Sequence, residues 1–437
     1  MDITKRMKMR TTLSFISYVS ILCAILAAQS YSVADATLEN GTLTVPISNL
    51  DVTGKDFGNS QSNPSPPSKP VRLIFMHHST GENWLSDENG GLGKALRDNN
   101  YFVSDTNYDW GPDSIGSLTD IGAWWLWFRG PNCNKYMNAL YAESTQHCEY
   151  SRLPNNPGGQ NEIVMFKSCF PNSALKGNSG YPVPPIASNP LRGQDSGSDY
   201  HTVANAKGIY IDILEYFRNH QEKLFIVISA PPLSDPEYSG NARAFNQWLV
   251  NDWLKGYPYH NVFVFDFYDI LTTNGGNPNV NDLNKETGNH HRLWNGVIQH
   301  KIDGDDDPNP NILEYQSEDD HPSQAGNLKA TAEFLPLLNI AYNNWRQSNY
   351  GIGRFRPSTH RWYLDYDNNG ASNYKVTWGA STDKPVAGDW DGDGKDEIGL
   401  FRPSTARWYL DYDNNGASNY QVTWGASTDI PVAGCWS

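Results

Sequence analysis

The stretch RLIFMHHSTGENWL, residues 72–85, places a small hydroxyl residue directly after a short apolar run. Leu73 to Met76 is long enough for a buried strand. In α/β hydrolytic folds a nucleophile lies where a strand ends beside glycine, as Ser79 does here. Serine attack also needs a base, a group that orients the base, and donors for the oxyanion. Ser79 alone is more typical of a helix cap, so the hypothesis depends on those partners.

The candidate base lies far downstream, in the segment SEDDHPSQAGNLKATAEF. His321 precedes the last predicted helix, with Pro322 at its entry and Ser323 as its cap. A carboxylate a few residues before a histidine can hold the Nδ1 proton and fix the tautomer. Three such residues stand directly before His321, namely Glu318, Asp319 and Asp320.

Strands and helices alternate between the two candidates. Strands are predicted at residues 72–76, 101–108, 161–169, 223–232 and 261–271, and helices at 91–100, 206–221, 241–256 and 323–345. This alternation indicates a mostly parallel sheet with helices on both faces. In such sheets, sites lie beyond the carboxyl ends of the strands, which is where Ser79 and His321 are expected.

A serine after the first strand and an acid-x-x-His-Pro-Ser segment before the last helix resemble the SGNH (GDSL-type) hydrolases. The resemblance covers residues 71–346 and implies a flavodoxin-like three-layer α/β/α domain with a Ser-His-Asp triad. It makes Ser79 the nucleophile and His321 the base, and it gives Glu318 the acid position, with Asp319 and Asp320 as rivals. No cofactor is expected for catalysis.

The oxyanion donors of that family are backbone amides of the serine and a glycine, together with an asparagine side chain. By resemblance the glycine is Gly111 or Gly116, and the asparagine is Asn172, with Ser168 as an alternative donor. The chain departs from the family pattern in two places: His77-His78-Ser79 replaces Gly-Asp-Ser, and the usual Gly-x-Asn-Asp is missing after the third strand.

The N-terminal 36 residues are typical of an export signal, because a basic start precedes an apolar run and small residues. A secreted protein, extracellular or periplasmic, is therefore expected. Residues 37–70 include GNSQSNPSPPSKP and predict a flexible linker. Export permits disulfides, and Cys133 with Cys148 is the predicted pair. The formal charge of −15 and the scattered basic residues argue against nucleic acid as a partner.

The C-terminal part, residues 352–437, contains two nearly identical copies that begin at Phe355 and Phe401, 46 residues apart. Each copy predicts a β-hairpin around a DNNG turn, so a small all-β repeat module is expected. The intervening DWDGDGKDE segment spaces its acids as a calcium loop does. It resembles FG-GAP/VCBS-type repeats, and the predicted Ca²⁺ ligands are Asp389, Asp391, Asp393, the Lys395 carbonyl and Glu397.

These observations favour a secreted serine esterase that removes O-acetyl or similar groups from a carbohydrate, with small esters as further substrates. The repeats are expected to contact a cell surface or a glycan. Two alternatives stay open: a catalytically silent SGNH-like glycan-binding domain, and an adhesion protein whose function lies in the repeats.

Overall fold

The computed structural model describes residues 63–302, 311–348, 351–365, 372–391 and 396–434, together with two short N-terminal strands. Those strands, β1 (Thr37–Glu39) and β2 (Thr42–Thr44), pair antiparallel and belong to a separate unit, residues 1–52. The predicted export signal lies outside the described residues. No helix in the described part of the chain is long and apolar enough to span a membrane.

A five-stranded parallel sheet forms the centre of the larger unit. Its strands are β3 (Val71–Met76), β4 (Tyr101–Thr106), β5 (Ile163–Lys167), β6 (Leu224–Ile228) and β7 (Val262–Phe265). Their spatial order is β4-β3-β5-β6-β7, with every neighbouring pair parallel. All their residues are buried, as expected for a sheet covered on both faces. The predicted mixed α/β domain with a parallel sheet is confirmed.

Helices cover both faces of the sheet. They are α1 (Ser79–Leu85), α2 (Leu92–Asp98), α3 (Trp124–Phe128), α4 (Cys133–Ala142), α5 (Val203–Arg218), α6 (Ser239–Asn251), α7 (Phe267–Ile270) and α8 (Gln324–Ser348). One apolar cluster joins alternate sheet residues to α1, α2 and α8, and a second joins the other face to α3, α4, α5 and α6. The alternation of side chains along each strand therefore builds two cores on either side of the sheet.

The structure departs from the predicted elements in several places. Helix α6, which was predicted to end at Gly256, ends at Asn251. Strand β7, which was predicted to run to Leu271, ends at Phe265, and α7 begins at Phe267. A hairpin of β8 (His290–Trp294) and β9 (Val297–Lys301) was not predicted. Residues 63–65, at the end of the predicted linker, are held against α8, because Asn339 and Asn343 donate to their backbone carbonyls.

The C-terminal part forms two antiparallel sheets. The first contains β10 (Ile352–Arg356), β11 (Arg361–Asp365) and β12 (Tyr374–Thr377), and the second contains β13 (Lys384–Gly388), β14 (Glu397–Arg402), β15 (Arg407–Leu410) and β16 (Tyr420–Thr423). The β11–β12 and β15–β16 pairs are the predicted hairpins. A small core of Trp362, Leu364, Ile398 and Leu400 joins residues of both sheets. The predicted β module after the α/β domain is therefore confirmed.

Candidate active site

Ser79 is the first residue of α1, immediately beyond the carboxyl end of β3. His77 and His78 form the connection, and the chain turns sharply enough to bring Gly81 against the His77 ring. A Cβ added at Gly81 would lie 2.3 Å from the Cβ of His77. Glycine at this position therefore permits the close turn that lifts Ser79 out of the strand. The sheet order changes direction at β3 and β5, so Ser79 lies at the switch point where α/β sheets bind ligands.

His321 reaches Ser79 from the loop that precedes α8. Its Nε2 lies 2.8 Å from the Ser79 Oγ, across 242 residues of sequence. Its Nδ1 lies 2.8 Å from the Asp319 Oδ1. Since a carboxylate only accepts hydrogen bonds, Nδ1 carries the proton, and Nε2 is left to accept the Ser79 hydroxyl proton. The Phe170 ring packs against the imidazole in a T-shaped arrangement, with 5.0 Å between ring centroids.

The carboxylate that contacts His321 is that of Asp319, and not that of Glu318, to which the resemblance gave the acid position. The Asp319 carboxylate accepts from both the backbone N–H and the ring of His321, and these hydrogen bonds hold the pKa of Asp319 below its usual value. Asp320 instead accepts from the backbone N–H of Ser234. Ser317 braces the same loop by donating to the His321 carbonyl. The contacting carboxylate therefore precedes His321 by two residues, rather than by the three that the resemblance implied.

A buried polar group lies next to Ser79 and Thr80, at the end of β5. The fully buried Lys167 ammonium donates to the Thr80 hydroxyl and to the Ser168 carbonyl. Thr80 Oγ1 lies 3.3 Å from Cys169 Sγ, which is 4.0 Å from Ser79 Oγ. Burial raises the pKa of the Cys169 thiol, but the Lys167 charge and hydrogen bonds from Thr80 outweigh it, so the net pKa is lowered. Burial lowers the pKa of Lys167.

Sequence reasoning missed Lys167 and Thr80 as neighbours of the site. A lysine that closes an otherwise apolar strand, as in EIVMFK, was the available signal. A charged residue is almost never fully buried without a partner.

The predicted side-chain oxyanion donors both make structural hydrogen bonds, but only those of Asn172 use its donor hydrogens. Both amide hydrogens of Asn172 are engaged, one with Asp120 and the other with the Cys169 carbonyl, while its oxygen accepts from Ile121. Asn172 therefore holds the loop after β5, which corrects its assignment as an oxyanion donor. The Ser168 hydroxyl accepts from the Trp124 indole.

The two candidate glycines lie in the turn after β4. The Gly116 N–H donates to the Trp110 carbonyl and is thus not available to an oxyanion, whereas the Gly116 carbonyl is 2.8 Å from His78 Nε2. His78 also stacks on Tyr108. Gly111 is exposed and has a φ of 76° at the start of a 3₁₀ turn. His78 thus ties this turn to the segment that carries Ser79.

The predicted Cys133–Cys148 disulfide is not formed, and both residues are free thiols. Cys133 begins α4, and its Sγ lies beside the Asn134 side chain. Cys148 instead lies 3.5 Å from Asp105 Oδ2 and 3.9 Å from His77 Nε2. Short sequence separation suggested the pair, but α4 separates the two cysteines and directs them to different neighbours.

Three of the predicted calcium ligands converge in the C-terminal module. Carboxylate oxygens of Asp389, Asp391 and Glu397 all lie within 4.8 Å of one another. Glu397 is buried and also accepts from the Trp390 N–H. Asp393 and Lys395 lie outside the described residues. Three carboxylates at this spacing repel one another, and hard oxygen ligands of this kind suit Ca²⁺.

An open depression lies beside His321. Its lining residues include Asn83, Asn89 and Gln324, which have carboxamide side chains, and Ser317 and Asp319, which have a hydroxyl and a carboxylate. Such groups hydrogen-bond polyhydroxylated molecules readily.

No protein-family model and no curated protein matches this chain. Among solved structures, one match is a carbohydrate esterase whose active site is described as having divergent catalytic and non-catalytic binding functions. The identity is 14%, the match covers 64% of this chain and 68% of that one, and the TM-score is 0.25. A likeness at that score assigns neither a family nor an activity to this chain.

Proposed function

We propose that this protein is a serine ester hydrolase of SGNH type. The observation that carries the proposal is the continuous hydrogen-bonded chain from Ser79 through His321 to Asp319. Its two contacts have the lengths expected of a nucleophile, a base and an orienting acid. The order along the fold, with the serine after the first central strand and the histidine before the last helix, supports the SGNH assignment.

In the proposed reaction, His321 Nε2 takes the hydroxyl proton of Ser79 while Oγ attacks the acyl carbon of the ester. The tetrahedral intermediate collapses, the alcohol leaves with the proton from His321, and the acyl group stays on Ser79. Water then attacks the acyl-enzyme and gives a proton to His321, which passes it to Ser79 Oγ as the bond from Oγ to the acyl carbon breaks and the acid is released. Asp319 keeps the imidazole in the required tautomer and stabilises its charged form.

We propose an O-acylated carbohydrate as the substrate, with an acetyl or similarly small acyl group. The carboxamides and hydroxyl in the depression beside His321 support a polyol as the alcohol part. Acetate release from acetylated polysaccharides, compared with hydrolysis of aryl esters of increasing chain length, tests this. A preference for long acyl chains over acetyl would contradict it.

The hydrolytic proposal itself is tested with a small aryl acetate, which needs no knowledge of the natural alcohol. Ser79→Ala should abolish turnover. Ser86→Ala, which changes a serine at the far end of α1, should keep it. Retained hydrolysis in Ser79→Ala would show that the activity arises elsewhere.

A catalytically silent glycan-binding domain is the second candidate. It is favoured by the Asn172 amide, which is engaged with Asp120 and Cys169 rather than offered to an oxyanion. Saturable glycan binding by wild type and Ser79→Ala alike, without any turnover by either, would support this candidate over the first.

For the C-terminal module we propose structural Ca²⁺ binding and contact with a cell surface or glycan. The converging carboxylates of Asp389, Asp391 and Glu397 support the first part. Calcium titration followed by calorimetry tests it. We also propose export of the protein, on the N-terminal sequence alone, and fractionation of the source cells tests this.

A further inference from the structure

A second cluster of reactive side chains surrounds His77, two residues before Ser79. It contains His77 after β3, Asp105 in β4, and Cys148 in the loop that follows α4. His77 and Asp105 are fully buried, and Cys148 is half-buried. None of the three takes part in the proposed hydrolysis.

Both ring nitrogens of His77 face an oxygen that accepts hydrogen bonds. Nδ1 lies 2.9 Å from the His78 carbonyl oxygen, and Nε2 lies 3.2 Å from Asp105 Oδ2. Both partners only accept hydrogen bonds. A neutral imidazole has one N–H, so either tautomer would leave one nitrogen lone pair facing an oxygen lone pair. With the Nδ1 proton given to the His78 carbonyl, a cation beside Nε2 would satisfy both the nitrogen lone pair and the Asp105 carboxylate oxygen.

The distances favour a cation shared by three ligands. The Nε2 to Oδ2 distance of 3.2 Å is long for a charge-assisted pair, which is usually about 2.7–2.9 Å. Cys148 Sγ lies 3.5 Å from the same oxygen and 3.9 Å from the same nitrogen. Tetrahedral zinc at its usual bond lengths would set its nitrogen and oxygen ligands about 3.4 Å apart and its sulfur about 3.6 Å from each.

The surrounding contacts are those of a supported metal site. The His78 carbonyl accepts from Nδ1 and so directs the Nε2 lone pair at the cluster. Asp105 Oδ1 accepts from the His147 N–H and the Tyr150 hydroxyl, which leaves Oδ2 for the centre. Such outer contacts orient metal ligands in proteins.

We propose that His77 Nε2, Asp105 Oδ2 and Cys148 Sγ bind a zinc ion that fastens the 143–150 loop to the ends of β3 and β4. Binding replaces the thiol proton of Cys148, which passes to solvent, with a sulfur–zinc bond. The ion's two positive charges then balance one thiolate and one carboxylate. A mixed sulfur, nitrogen and oxygen set suits zinc better than calcium or magnesium.

Metal content and cobalt substitution test the site. The full chain, purified through a tag without histidines, is stripped of metal and titrated with cobalt chloride in excess Ca²⁺, which occupies the carboxylate loop. We expect one cobalt per chain with a thiolate charge-transfer band, and displacement of that band by zinc chloride. Cys133→Ser, which changes the other free cysteine of this region, should keep the band, and Cys148→Ser should lose it.

Two further measurements test the proposal even if the Cys148→Ser variant does not fold. In the wild-type protein, zinc should protect Cys148, and not Cys133, from alkylation mapped by mass spectrometry. Tyr150→Phe, which removes one contact to Asp105, should weaken zinc binding by about 10- to 100-fold. Absence of a thiolate band in the wild-type protein, or equal alkylation of Cys148 with and without zinc, would overturn the proposal and leave the cluster as a hydrogen-bonded group without a metal.

Discussion

Asp319→Asn tests the assignment of the acid, because it removes the charge from the group that holds His321 and changes little else in size. The Asp319 side chain is 62% exposed, and its Oδ1 accepts from Nδ1 at 2.8 Å. A hydrogen bond to a charged group contributes about 1.5–3 kcal/mol, against about 0.5–1.5 kcal/mol for a neutral one. Because solvent screens this exposed pair, we expect the charged carboxylate to contribute only about 1–1.5 kcal/mol more than a neutral carboxamide would.

That difference corresponds to a fall in kcat of about ten-fold. A buried acid in a serine protease triad contributes about 10⁴-fold, so the effect expected here is far smaller because Asp319 is open to water. KM should stay unchanged, since Asp319 acts through His321. Glu318→Gln is the matched control, as it removes a neighbouring charge without touching the ring, and its kcat should stay within about two-fold of wild type.

The assay is initial-rate hydrolysis of an aryl acetate at neutral pH by wild type, Asp319→Asn and Glu318→Gln. Full activity in Asp319→Asn, or an equal loss in Glu318→Gln, would refute the reasoning. Addition of salt to the wild-type enzyme should lower kcat only slightly, because hydrogen-bonded groups in contact are screened less than distant charges.

Further predictions concern the turn, a loop carboxylate and the calcium loop. Gly81→Ala should lower kcat by about 100-fold through displacement of Ser79, while Gly240→Ala, which meets no atom within 4 Å, should be neutral by the same assay. Partial burial raises the pKa of Glu143, but hydrogen bonds from Thr145 and Trp110 outweigh it and hold the pKa at about 2, against an ordinary 4.5. The depressed pKa means that this stabilisation is present above pH 4.5 and is lost as the pH falls toward 2. Glu143→Gln should therefore lower the free energy of unfolding by about 1–2 kcal/mol at pH 7, after allowance for the partial exposure of Glu143. This difference from wild type should shrink in acid. A difference that is independent of pH in denaturant titrations would contradict the prediction. Calcium at about 100 times its Kd should add about 2.7 kcal/mol to the stability of a two-state module, seen as a raised Tm, and Asp391→Asn should abolish the shift; an equal shift in both would place the ion elsewhere.

The sequence was sufficient for the central strands because each is a short, continuously apolar run bounded by polar residues. The same periodicity placed Ser79 and His321 at opposite ends of one domain, and the structure brings them together. Boundaries were less predictable. NVFVFDFYDIL is largely apolar on both sides of Asp266, whose side chain accepts from the Asp269 N–H at the start of α7 and ends the strand.

Other features depend on contacts between distant segments, which a single sequence does not contain. The choice of Asp319 over Glu318 follows from the tight loop that Ser317 braces, and spacing alone does not reveal that geometry. Asn172 was assigned by its position after the third central strand, but Asp120 and Ile121, about 50 residues earlier, occupy its amide. Cys148 was matched with Cys133 by proximity in sequence, whereas its neighbours His77 and Asp105 come from two other strand ends.

Covalent labelling tests the central claim most directly. The mature protein is treated with a fluorophosphonate probe, and the modified residue is mapped by mass spectrometry, with Ser79→Ala and Ser86→Ala as paired controls. The site geometry predicts a single adduct on Ser79, present in Ser86→Ala and absent from Ser79→Ala. A folded wild-type protein that is not labelled, or is labelled elsewhere, would contradict the account and make Ser79 a helix-initiating residue without a nucleophilic role.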